Sequence, residues 1–70
     1  MNVLFLESQS DAPLRAFLEQ QPHPYRLLAG EDRWLLVVEA ASPETVAAGL
    51  ALEGVRGWVF ALEEEGCGRA

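Results

Sequence analysis

The sequence predicts one small α+β domain whose elements run β-α-β-β-α-β, with a four-stranded antiparallel sheet and two helices on one of its faces. Three observations predict it. Seventy residues leave room for a single core. Half the residues are apolar and 23% are charged, a globular balance rather than a disordered one. The apolar residues fall in short runs, some of strand length and some at helical spacing.

The first strand is read at Asn2 to Glu7, where Val3, Leu4, Phe5 and Leu6 are contiguous. Ser8 to Asp11 break it, and Ser10 or Asp11 can cap a helix with Pro13 in its first turn. Leu14, Phe17 and Leu18 then recur at helical spacing. Pro22 and Pro24 end that helix. Tyr25 to Ala29 reads as the second strand, Gly30 to Asp32 as a turn, and Arg33 to Ala40 as the third strand. A short Gly-containing link between two strands signals an antiparallel hairpin.

Ser42-Pro43-Glu44 starts the second helix: a capping hydroxyl, a proline at the first helical position and an acid near the positive dipole end. Its apolar stripe is expected at Val46, Ala47, Leu50 and Ala51, with Gly54 as the stop. Gly49 inside a helix costs about 1 kcal/mol relative to Ala, which close approach to another element would explain. Gly57 to Leu62 is the fourth strand, with Trp58, Phe60 and Leu62 on one face. The order matches the split βαβ, ferredoxin-like plan, whose central strands are the first and third. Residues 1–62 make the domain; residues 63–70 read as a flexible acidic tail.

Neither central strand alternates apolar with polar. Trp34, Leu36 and Val38 point one way and Leu35 and Val37 the other; Val3 and Phe5 likewise oppose Leu4 and Leu6. Two helices cover one face only. A chain this short also buries apolar surface only marginally, and a bare face of Trp, Phe and Leu invites association. The expected partner is a second copy, making a homodimer through the open sheet face.

The stretch "YRLLAGEDRWLLVVEAASPETVAAGLALEGVRGWVFALEEE" leads a hairpin into "VVEAASPETVAAGL" and then into a short aromatic-rich strand. It resembles the small dimeric α+β-barrel proteins, a group that includes YCII-like proteins, muconolactone-isomerase-like proteins and several uncharacterised families. There, V-E-A-x-S/D-P-E marks the end of the third strand and the cap of the second helix, matching Val38, Glu39, Ala40, Ser42, Pro43 and Glu44 here. The resemblance implies a fold and a dimer, not a reaction. YCII-like proteins carry a His and an Asp that act together; by residue type alone His23 and Asp32 are the candidates here.

The formal net charge is −6, and the five cations, all arginine, are scattered. Nucleic acid needs clustered Lys or Arg, and an anionic membrane surface needs the same, so neither partner is expected. No apolar run approaches the roughly 18 residues of a membrane helix, and no basic start leads an apolar secretory segment. Both point to the cytoplasm. Cys67 is the lone cysteine and lies near Glu63, Glu64 and Glu65, the opposite of an activating environment. No metal set and no phosphate loop is visible, and no cofactor is expected.

His23, the single histidine, is the candidate general base, with Asp32 or Glu31 as its orienting acid. A solvated loop histidine is the plainer reading. Tyr25, Trp34, Trp58 and Phe60 can line a cleft for a planar ligand, although core and interface packing, which aromatics dominate, is the plainer reading. Arg26 and Arg33 flank the hairpin and can hold an anion, although solvated strand-end charges are the plainer reading. Three function classes follow: a homodimeric module binding a small apolar or aromatic molecule, a small isomerase, dehydratase or hydrolase using His23, or a structural or regulatory subunit.

Overall fold

Four strands hydrogen-bond into one antiparallel sheet in the order β2-β3-β1-β4. The computed structural model describes residues 1–63, 65, 66 and 68, so Cys67 and Glu64 lie outside the described residues. The elements are β1 (Asn2–Ser8), α1 (Ala12–Leu18), β2 (Tyr25–Ala29), β3 (Trp34–Val38), α2 (Pro43–Leu50) and β4 (Arg56–Ala61). β1 and β3 are central, as the ferredoxin-like order requires.

Register decides which residues share a face. β1 pairs with β3 through Leu4↔Val38 and Leu6↔Leu36, and with β4 through Leu4↔Val59 and Leu6↔Gly57. Leu4, Leu6, Leu36 and Val38 therefore point together, and all four are fully buried. Leu14 and Phe17 of α1, together with Ala41, complete that core. Both helices lie on this one face.

Gly49 shows how closely α2 approaches the sheet. A Cβ there would stand 2.8 Å from Leu4 Cδ2 and 3.3 Å from Leu6 Cδ1. The glycine that weakens the helix is the one that lets it sit down. Gly57 serves the same contact from the sheet side, where a Cβ would meet Leu50 Cδ2 at 2.7 Å.

The capping chemistry differs between the helices. Ser42 accepts from the Thr45 N–H at 3.2 Å, as its sequence context predicts. At α1, Asp11 occupies the cap position, but its side chain makes no cap bond. Its carboxylate instead accepts from Arg15 Nε at 2.6 Å, while Ser10 Oγ accepts from the Ala12 N–H at 3.3 Å.

Two expected element ends move by more than one residue, and one expected stripe rotates. β3 ends at Val38 rather than Ala40, because Ala40 turns into the left-handed region at φ 53°. α2 ends at Leu50, well before the left-handed Gly54. Its fully buried positions are Thr45 and Gly49 with Ala41 ahead of them; of the expected stripe Val46 packs half-buried against the core and Leu50 reaches Gly57 of β4, while Ala47 and Ala51 face solvent. The helix is turned by about one residue, because the smallest side chains must face the sheet for the close approach. Leu50 is left exposed. Among the described residues no helix is long and apolar enough to cross a membrane.

Gly49→Val is expected to lower stability by about 1–3 kcal/mol despite better helix propensity, because the added carbons overpack a buried leucine. Chemical denaturation measures it. A variant as stable as the parent would show that α2 is free to lift from the sheet.

Candidate functional site

The sheet face away from the helices carries a continuous apolar surface with a polar end. Its side chains are those in phase with Phe5: Val3, Phe5 and Glu7 from β1, Leu35 and Val37 from β3, Arg26 and Leu28 from β2, and Arg56, Trp58 and Phe60 from β4. One row runs Trp58, Phe5, Val37 and Arg26 across all four strands. Phe5 and Phe60 meet edge to face with ring centroids 5.5 Å apart. They screen Val3, which is only 6% exposed although no helix covers it. Trp58, Phe60 and Leu28 remain open to solvent at 40%, 51% and 51%.

One end of this face is polar. Glu7 continues the alternation of Val3 and Phe5 and is flanked by Arg33 Nη1 at 3.2 Å and Arg56 Nη1 at 3.7 Å. Arg56 also lies over the Trp58 ring, 5.5 Å from its centroid. An open cleft of about 490 Å³ begins there, with Ser8, Ser10 and Glu53 on its walls. The Glu7–Arg33–Arg56 cluster is not singled out by sequence reasoning. Its signal is present, since Glu7 is in phase with Phe5, and Arg33 and Arg56 stand where β3 and β4 begin.

The proposed aromatic cleft does not assemble. Trp58 and Phe60 face outward, but Tyr25 pairs with Val38 and Trp34 with Ser8, which puts both on the helix side. Trp34 is taken up by Arg15 of α1, 5.6 Å from the ring centroid. The reason is register: each lies an even number of positions from core-facing Leu27 or Leu36. Arg26 and Arg33 do not converge either. Arg26 lies on the outer face beside Val37, whereas Arg33 is held by Asp32 and Glu7.

His23 and Asp32 stand at opposite ends of β2, with the whole strand between them. Asp32 bonds Arg33 Nε at 3.2 Å. That hydrogen bond holds the Asp32 carboxyl below the ordinary aspartate range and holds Arg33 above its own. His23 is half-buried, and its Nε2 accepts from the Ser42 N–H at 3.3 Å. Its backbone N–H donates to Gln21 Oε1 at 2.7 Å, and its carbonyl accepts from Gln21 Nε2 at 3.1 Å. The imidazole thus tethers the β1–α1–β2 half to the start of α2. Among the described residues no three His, Cys, Asp or Glu side chains group to hold a metal.

Replacing His23 with Ala is expected to cost about 1 kcal/mol by leaving the Ser42 N–H without its acceptor, and to speed exchange of that amide. Unchanged stability and unchanged exchange would show that the tether carries no load. Asp11 is likewise held below the ordinary aspartate range, first by the hydrogen bond from Arg15. A depressed folded value means that the pair stabilises above the unfolded aspartate value near 3.9 and loses its effect as pH falls through the folded one. An NMR pH titration should place Asp11 low, and Arg15→Met should return it to the ordinary range.

No family model, no curated protein and no solved structure matches this chain.

Proposed function

We propose that the chain is an assembly module that forms a homodimer by laying the outer sheet faces of two copies together. The observation carrying this reading is the row Trp58, Phe5, Val37 with Phe60, Leu35 and Leu28 around it, on the face no helix covers. Among the described residues eight apolar side chains are buried, and eight large apolar ones are exposed. Of those exposed residues Leu28, Trp58 and Phe60 lie on this face, and hiding them from water favours association.

Area and charge favour a second copy as the occupant. Four strands about 4.8 Å apart and roughly 20 Å long present about 400 Å² in plan. The relief of Trp, Phe and Leu side chains raises this toward the roughly 600 Å² per partner of the smaller specific interfaces. Glu7 meets its two arginines within the same copy, so that carboxylate enters the contact already paired. Trp58 and Phe60 would border the space between the sheets, where a planar apolar molecule can stack.

Light scattering tests the contact. Val37→Glu puts a charge in the middle of the face and is expected to halve the assembled mass. Leu28→Glu, on a residue already half exposed, is expected to weaken the assembly with no change in the folded spectrum. A parent protein that is folded and single-chain overturns the reading, as does a Val37→Glu variant of undiminished mass.

A further inference from the structure

The outer edge of β4 is open, apolar and self-complementary. Met1 and Leu62 exchange both backbone hydrogen bonds, at 2.6 and 2.8 Å. They extend the β1–β4 register, which pairs Asn2 with Ala61 and Val3 with Phe60. In an antiparallel ladder hydrogen-bonded and non-hydrogen-bonded pairs alternate. Phe60, Trp58 and Arg56 therefore bond back to β1. Gly57, Val59 and Ala61 turn their N–H and C=O groups away from the sheet. No backbone partner for these groups is found among the described residues.

The other edge is guarded and this one is not. β2 follows Pro22 and Pro24, carries Arg26 and runs into Glu31 and Asp32. Prolines and charges are the usual devices against edge pairing. From Gly57 to Ala61 there is neither, and Val59 is 40% exposed although it points to the helix side. The helices leave this half of the strand bare.

We infer that β4 pairs antiparallel with β4 of a second copy, centred on Val59, to make a continuous eight-stranded sheet. The pairing sets Val59 against Val59 of the second copy and Gly57 against its Ala61. Every open backbone group of the three residues then gains a partner. The same register puts Trp58 beside Phe60 of the second copy on the outer face, twice over. It does so at the closer, non-hydrogen-bonded spacing where aromatic cross-strand pairs contribute most. Charge selects the antiparallel sense. Each strand begins at Arg56 and is followed by Glu63, so reversal brings the basic end of one alongside the acidic end of the other. A parallel pair would set like against like.

This contact goes beyond the face-to-face dimer and is compatible with it. The face uses the side chains of Trp58 and Phe60; the edge uses the backbone of Gly57, Val59 and Ala61. With both in place and their twofold axes crossing at a right angle, the particle closes at four chains. Val59→Pro removes one outward N–H and no bond to β1, so the fold is retained. It is expected to leave a two-chain particle, Val37→Glu a different two-chain particle, and the combination a single chain. Val59→Lys, which keeps the N–H but charges the edge, should act as Val59→Pro does and stands in if the proline variant does not fold. In the parent, the Gly57, Val59 and Ala61 amides should exchange slowly and become fast in Val59→Lys.

The inference is overturned if the Val37→Glu variant is folded but single-chain. It is overturned equally if those amides exchange fast in the assembled parent, which would leave the edge to a strand of another protein. In both cases the face contact can survive, so the two readings fail separately.

Discussion

Everything in this molecule follows from how closely α2 can approach the sheet. Without a side chain at Gly49 the helix rests on Leu4 and Leu6, and without one at Gly57 its C-terminal end rests on β4. Close contact lets a helix of eight residues, with the seven-residue α1, cover the centre of one side of the four strands, leaving Tyr25 and Val59 at its margins exposed. The same economy exhausts the supply of covering elements. Val3, Phe5, Leu35, Val37, Trp58 and Phe60 are left on a side that nothing in the chain reaches.

The distribution of charge is consistent with that division. Arg15 is occupied by Asp11 and Trp34 at the helix side. Arg33 and Arg56 gather on Glu7 at one end of the bare face. These pairs are exposed and contribute little to stability. Their effect is positional: they confine polarity to the rim and leave the middle of the sheet uniformly apolar. Interfaces are commonly built this way, with an apolar centre and a polar margin.

Much of the fold was legible in the sequence because it is written in local chemistry. Ser42-Pro43-Glu44 announces α2, and the cap bond to Thr45 forms. The turn at Gly30 announces the hairpin, and Gly30 N–H bonds the Arg33 carbonyl at 2.8 Å. The two-sided greasiness of β1 and β3 could be read directly from contiguous apolar runs. What could not be read was rotation and convergence. The stripe of α2 centres about one residue earlier than hydrophobicity suggests, on Thr45 and Gly49 beside Val46, because the closest contact with the sheet favours the smallest side chains. The aromatic cleft failed because sharing a residue type does not mean sharing a face; register parity separates Trp34 from Trp58. His23 reads from the sequence first as a solvated loop residue and only second as a base; its ring is half-buried and accepts from the Ser42 N–H, a pairing no local signal foretells.

Ala40 carries one more implication. It is the one non-glycine residue with positive φ among those described, and it lies between the end of β3 and the cap of α2. A side chain in that region costs on the order of 1 kcal/mol. The chain tolerates the penalty because the corner must swing abruptly from the sheet into the helix that seals it. The joint is thus under tension at the point where the second half-unit begins. Asparagine or glycine at position 40 would relax it without a single core atom being altered.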